Sequence, residues 1–119
     1  MTERDYKILK KIAENQKALS DMVKEFKIVA PEDLSKIHAA IRRGIVGFIS
    51  DLFELTKPLS ESVQPMLPFN RTVIKRFRDT ASHRYGTITN TIAHACLMHC
   101  IDKNSIQAIN KLIEDYSDL

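Results

Sequence analysis

The side chains best suited to chemistry lie close together in one short segment of the chain. Arg78 and His83 are five residues apart, and Asp79 lies between them. An imidazole can exchange protons near neutral pH, and a guanidinium can stabilise the negative charge of a pentacoordinate phosphorus. This pair therefore suits cleavage of an RNA phosphodiester, with His83 moving protons at the 2′-hydroxyl or at the leaving oxygen. An Arg and a His at this spacing are also typical of an ordinary helix surface, so the pair alone leaves both interpretations open.

Positive charge is concentrated in the same segment. Residues 71–84 contain five basic side chains and one acidic side chain, in a chain whose net charge is +3. Such a concentration favours an anionic partner such as RNA, because phosphate contacts give affinity that does not depend on base sequence. Lys75, Arg76 and Arg84 are the candidate RNA-binding residues. The alternative is a solvated helix face without a ligand.

Helices must position these side chains, because apolar residues recur at helical spacing along almost the entire chain. The pattern predicts three long helices, which cover residues 3–26, 34–57 and 70–82, followed by two shorter helices. No segment shows the alternation of a strand. The sequence therefore predicts an all-α, up-and-down bundle of about five helices, in a single domain that covers residues 1–119.

The predicted helix ends carry recognisable caps. Thr2 and Asp5 resemble a capping box at the start of helix 1, and Asn70 is a good N-cap for helix 3. Gly86 suits a left-handed C-terminal cap after helix 3. If helix 3 ends before His83, this side chain can turn back towards the arginine of the catalytic pair.

Helix 2 has a narrow side formed by small residues, among them Gly44 and Gly47. Small residues let a neighbouring helix approach closely, either within the fold or between subunits. On the same helix, Arg42 and Arg43 are expected to be solvated, although one of them could extend an RNA-binding surface.

Composition excludes several classes of protein. The chain has 119 residues, of which 28% are charged, and it contains no apolar run near the ~20 residues that span a bilayer. It begins with a charged periodic segment instead of a secretory signal, and its two cysteines do not form a disulfide framework. We therefore expect a cytoplasmic protein that does not enter a membrane.

A second group of reactive side chains lies near the C-terminus, at His94, Cys96, His99 and Cys100. Three of them share one helix face, as metal ligands do. A zinc site needs a further ligand from elsewhere, and its sulfur ligands normally come as two cysteines separated by two residues. We therefore predict no metal and no cofactor, with both thiols packed in the core.

The pattern Arg-x4-His-x-Tyr, formed by Arg78, His83 and Tyr85, resembles the signature of HepT-like toxins of the HEPN superfamily. Those toxins are small all-helical proteins of bacteria and archaea, and an MNT-type minimal nucleotidyltransferase is their usual antitoxin. The flanking segments at residues 2–12, 52–60 and 85–88 also resemble the family. The resemblance covers about residues 2–115.

The resemblance implies a homodimeric, metal-independent endoribonuclease in which Arg78 and His83 cleave RNA and Asp79 supports the site. It also implies that the nucleotidyltransferase attaches AMP to Tyr85, and that this bulky anion blocks the cleft and repels RNA. Asp79 stands where the family commonly has Asn, so it keeps an acceptor and loses an amide donor. This departure keeps a second function open, in which the chain is a non-catalytic helical partner and modification substrate of a nucleotidyltransferase.

Overall fold

Every regular element in residues 1–117, the part of the chain described by the computed structural model, is a helix or a helical turn. The α-helices are α1 (Glu3–Glu25), α2 (Ala39–Thr56), α3 (Arg71–His83), α4 (Asn90–Ile101) and α5 (Lys103–Ser117). Short 3-10 turns occupy Pro31–Ser35, Gln64–Met66 and Tyr85–Thr87. The predicted all-helical class is confirmed, and none of the described helices is long and apolar enough to cross a membrane. The predicted domain also includes Asp118 and Leu119, which lie outside the described residues.

An aromatic cluster holds α3 against α2. Phe53 is fully buried, and its ring meets the rings of Phe69 and Phe77 edge-on, with centroid distances of 6.2 and 5.8 Å. Edge-on aromatic pairs are favourable beyond the area that they bury. The aromatic contacts set which side chains of α3 face inward.

On α1, which packs against α2, α4 and α5, the fully buried apolar residues are Leu9, Ile12 and Leu19.

Asp5 joins the start of α1 to the loop that follows α2. The predicted capping box is present, because Asp5 Oδ2 accepts from the Thr2 N–H at 3.0 Å and Thr2 Oγ1 accepts from the Asp5 N–H at 3.1 Å. The buried carboxylate also accepts from the N–H and the hydroxyl of Ser60, at 2.9 and 2.6 Å. Burial alone raises the pKa of a carboxyl group, but these hydrogen bonds outweigh it and lower the pKa of Asp5 to about 2.

We expect Asp5→Asn to lower the free energy of unfolding by about 2 kcal/mol at pH 7, because it weakens hydrogen bonds to a charged acceptor. The folded pKa lies below the unfolded value of about 3.9, so the stabilisation is present above that pH and is lost as pH falls towards 2. Urea unfolding at a series of pH values measures this. The difference between wild type and variant should shrink on acidification, whereas Asp51→Asn, at an exposed position, should show a small and constant difference. A constant difference for Asp5→Asn would contradict the expectation.

Two predicted boundaries differ from the structure. Helix α2 begins at Ala39 instead of residue 34, because Pro31–Ser35 forms a 3-10 turn in which the Asp33 carboxylate accepts two preceding backbone N–H groups. His38 then caps α2 through its Nδ1 atom. Beyond α3, Gly86 lies in a 3-10 turn and its φ is not positive, so the predicted left-handed cap is wrong.

Helices α4 and α5 are separated by Asp102 alone. The Asp102 carboxylate accepts from the Ser105 N–H at 2.7 Å and so begins α5 as an N-cap. The Ser105 hydroxyl donates to the carbonyl oxygen of His99 at 2.9 Å. From α1, the side chain of Gln16 donates to the carbonyl oxygen of Cys100 at 2.9 Å. Carbonyl groups that the end of α4 leaves unpaired are thereby satisfied from two neighbouring helices.

Candidate active site

Helix α3 carries most of the predicted site, and its first turn is held in place on two sides. The side chain of Asn70 accepts from the N–H groups of Thr72 and Val73 at 2.9 and 3.1 Å, which confirms the predicted N-cap. The Asn70 N–H donates to Nε2 of His99 on α4 at 2.9 Å. This imidazole therefore has a structural role, and it positions the start of α3.

Arg78 lies on the side of α3 that faces α2. Its side chain is 20% exposed, and its Nη1 atom is 3.3 Å from Oε1 of Glu54, whose side chain is 55% exposed. Its buried Nε atom has no hydrogen-bond partner among the described residues. An ion pair at a protein surface contributes only about 0.2–1 kcal/mol. The guanidinium can therefore change its partner from Glu54 to a bound anion at small cost.

His83 lies on a different face of α3. The helix continues through His83, and the Arg84 N–H donates to the carbonyl oxygen of Thr80 at 2.8 Å, so the condition for a turn back towards Arg78, a helix that ends before His83, is not met. Five residues of regular helix rotate a side chain by about 140° and move it by about 7.5 Å along the axis. The exposed His83 imidazole therefore projects from a different face of α3 than Arg78 does.

Asp79 belongs to the face of His83. It is exposed, and it precedes His83 by four residues, which places the two side chains one turn apart on the same side of the helix. Its neighbour in sequence, Arg78, points about 100° away from it and pairs with Glu54 instead. A carboxylate one turn before an imidazole is suitably placed to orient that ring by accepting its N–H.

The Tyr85 hydroxyl is held by an arginine from α2. Arg42 donates from Nη1 to the Tyr85 oxygen at 2.9 Å, from Nε to the Asn90 side-chain oxygen at 2.8 Å and from Nη2 to the Ile88 carbonyl at 2.6 Å. The guanidinium of Arg43 lies over the Tyr85 ring, 4.1 Å from its centre. Tyr85 is half-buried, and two cations surround it. These contacts fix the connection between α3 and α4, immediately after His83.

The position of Arg42 corrects the expectation that this side chain is solvated. Arg42 and Tyr85 are 43 residues apart, and helical periodicity carries no information about contacts between such distant elements. No spacing or motif in the sequence indicates the pairing.

Of the three candidate RNA-binding residues, Lys75 and Arg76 line one shallow cavity together with Asp79, whereas Arg84 lies apart from them. Lys75 lies beside Arg78, in a cavity on the α2 side of α3. Arg76 also lines a groove between α3 and α4. Arg84 is exposed at the C-terminal end of α3. Positive charge therefore surrounds α3 instead of forming a single stripe.

The potential metal ligands near the C-terminus are used within the fold. Burial raises the pKa of the Cys96 thiol to about 11, and it also raises the pKa of the fully buried Cys100. His94 Nε2 is 3.0 Å from the carbonyl oxygen of Val29, and His99 holds Asn70. In residues 1–117, no three His, Cys, Asp or Glu side chains are arranged to hold a metal ion.

No protein-family model, curated protein or solved structure matches this chain. Its function must therefore be inferred from the side chains of α3 and their neighbours.

Proposed function

We propose that this chain is a HepT-like toxin of the HEPN superfamily, a cytoplasmic endoribonuclease that needs no metal and acts as a homodimer. The observation that carries the proposal is an exposed imidazole, His83, with the Asp79 carboxylate one turn before it, on a helix that also presents Arg78. Three further basic side chains on the same helix favour a polyanionic substrate such as RNA.

In the proposed reaction, the 2′-oxygen of a ribose attacks the adjacent phosphorus while His83 accepts the hydroxyl proton. The bond from phosphorus to the 2′-oxygen forms, the bond to the 5′-oxygen breaks, and the leaving oxygen takes up a proton from water. The protonated imidazole then returns its proton to the resulting hydroxide. Arg78 stabilises the extra negative charge on the phosphorus oxygens, and Asp79 orients the imidazole. The products are a 2′,3′-cyclic phosphate and a 5′-hydroxyl.

A second copy of the chain completes the proposed site. The Arg78 and His83 of one chain diverge by about 140° and so project from different faces of α3. A two-fold axis beside α3 allows Arg78 of one subunit to approach the same phosphate as the symmetry-related imidazole. The face of α2 at Gly44 and Gly47 is free for such an approach, because a Cβ atom at either position would meet nothing within 4 Å. The open space beside both glycines favours a role for this face in the subunit interface over a role in close helix packing within the fold.

The proposed antitoxin is an MNT-type nucleotidyltransferase that transfers AMP to Tyr85. The Tyr85 oxygen attacks the α-phosphorus of ATP, pyrophosphate leaves, and the phenol proton passes to a base of the transferase. Arg42 and Arg43 partly neutralise the phosphate of the adduct, because both guanidinium groups adjoin Tyr85. Inhibition of RNA binding then comes mainly from the bulk of the adenosine beside His83.

The alternative function is a non-catalytic partner that only docks with the nucleotidyltransferase and accepts its modification. The Glu54–Arg78 ion pair is compatible with this alternative, because it gives Arg78 a structural partner within the fold. The absence of an anion-binding geometry shared by Arg78 and His83 within residues 1–117 points the same way.

Incubation of the purified protein with RNA in the presence of EDTA distinguishes the two functions. The endoribonuclease should cleave RNA at an unchanged rate after chelation and should leave 2′,3′-cyclic phosphate ends, which mass spectrometry of the fragments detects. Intact RNA under all conditions would support the binding partner, and cleavage that EDTA stops would contradict the proposed chemistry.

A further inference from the structure

A cavity of about 240 Å³ lies between the C-terminal end of α2, the following loop and the first half of α3. Among residues 1–117, four basic side chains line it, and no acidic side chain does. These four are Lys57, Arg71, Lys75 and Arg78. Only Arg78 has a described carboxylate partner, Glu54, which is itself largely exposed and lies outside the lining.

The fold brings these cations together from two elements. Arg71, Lys75 and Arg78 follow one another at spacings of four and three residues and so form one edge of α3. Lys57 is the C-terminal cap residue of α2 and reaches the cavity from the other side. The apolar wall includes Phe69 and Ile74, both buried in the core, so the spacing between the two basic edges is fixed by packing.

Four basic side chains on one cavity concentrate positive charge there, and only one of them has a described carboxylate partner, so a bound anion would be favoured. We infer that the cavity binds a phosphate group, specifically a phosphomonoester dianion. Its volume is below that of a drug-sized ligand site, about 300–1,000 Å³, and is several times the roughly 30 Å³ share of one water molecule. A tetrahedral oxyanion fits this size, and its charge matches the guanidinium and ammonium donors on the walls.

Two sources offer this chemistry, a free phosphate or mononucleotide and the phosphorylated end of an RNA strand. Both present the same terminal dianion to the cavity. Binding here does not depend on cleavage of RNA, because Lys57 and Arg71 have no role in the proposed reaction and affinity can be measured without turnover.

The test is calorimetric titration of the full chain with inorganic phosphate and with AMP. Lys57→Ala with Arg71→Ala removes two cavity charges at exposed positions, and Lys103→Ala with Lys111→Ala removes two exposed charges from α5 as the matched control. The cavity variant should bind phosphate at least about tenfold more weakly than wild type, and the control should differ by less than about twofold. Equal losses in both variants, or no phosphate binding by the wild-type protein, would overturn the inference.

The source is identified with a 2′-O-methyl oligonucleotide, which cannot be cleaved through its 2′-oxygen. If the ligand is an RNA end, the 5′-phosphorylated form should bind at least about tenfold more tightly than the 5′-hydroxyl form, and only in proteins with an intact cavity. In the other outcome, the two forms bind equally, while inorganic phosphate still binds the cavity variant more weakly than wild type. In that case the ligand is a free phosphate or nucleotide. If the protein cleaves RNA but binds none of these phosphates, the inference about the cavity is wrong and the proposed function is unaffected.

Discussion

Replacement of His83 by alanine should reduce RNA cleavage by at least about a hundredfold, because general acid–base catalysis by one side chain contributes about 10²–10⁴-fold. Arg78→Ala should cause a loss of similar size through the uncompensated charge on the phosphorus oxygens. His83 is exposed, and Arg78 has only one surface ion pair, so both variants should keep the thermal unfolding midpoint of the wild type within a few degrees. Initial rates with EDTA present, measured beside circular dichroism melts, test both expectations.

Mixing the two inactive variants tests whether the site is shared between subunits. After subunit exchange, half of the dimers combine Arg78→Ala with His83→Ala, and each of these retains one site with an intact guanidinium and an intact imidazole. We therefore expect recovery of about one quarter of the wild-type rate. A site built within one chain would recover nothing, because every chain in the mixture lacks one of the two groups.

Two outcomes would contradict this mechanism. Full activity in His83→Ala would remove the imidazole from the chemistry. Loss of activity together with loss of helicity would show that the substitution acts on the fold. In that case His83→Gln, which keeps an exposed polar side chain of similar length, separates the loss of the imidazole from the loss of the fold.

Interactions within one helical turn are predictable from the sequence. The caps formed by Thr2 with Asp5, and by Asn70 with the next turn, join residues at most three apart, and both occur in the structure. The cap expected at Gly86 and the start of helix α2 are the exceptions. Leu34 and Ile37 continue its apolar spacing towards the N-terminus, but that stretch includes a 3-10 turn closed by Asp33, and helical periodicity cannot distinguish the two conformations.

Contacts between distant elements explain what the sequence did not reveal about the site. The candidate residue types and their helix are predictable, whereas the pairing of Arg78 with Glu54 depends on how α2 packs against α3. The divergence of Arg78 and His83 follows from regular helix geometry once α3 is known to include His83. The end of a helix is the least predictable part of it, and here a one-residue difference changes the direction expected for the His83 side chain.

Tyr85→Phe should abolish modification by the nucleotidyltransferase. The chain contains three tyrosines, and the other two, Tyr6 and Tyr116, stack on each other with ring centres 4.7 Å apart, on α1 and α5. Intact mass spectrometry after incubation with the transferase and ATP should show the mass of AMP on the wild-type protein and none on Tyr85→Phe. Tyr116→Phe is the matched control and should be modified as fully as wild type. RNA cleavage by Tyr85→Phe should persist when the transferase is present.

Arg42→Ala should slow the same modification by about tenfold or more without removing the acceptor. Arg42 donates to the Tyr85 oxygen and also holds Asn90 and Ile88, so its loss frees both the ring and the connection after α3. A freed phenol must be ordered again each time the transferase acts, and fixing a reactive group in place is a large part of catalytic efficiency. Arg42→Lys keeps the charge but cannot reproduce the three directed hydrogen bonds, so its rate should be closer to that of Arg42→Ala than to wild type. Faster modification of Arg42→Ala would instead show that Arg42 shields the hydroxyl from the transferase. An unchanged rate would show that the contact serves only the fold.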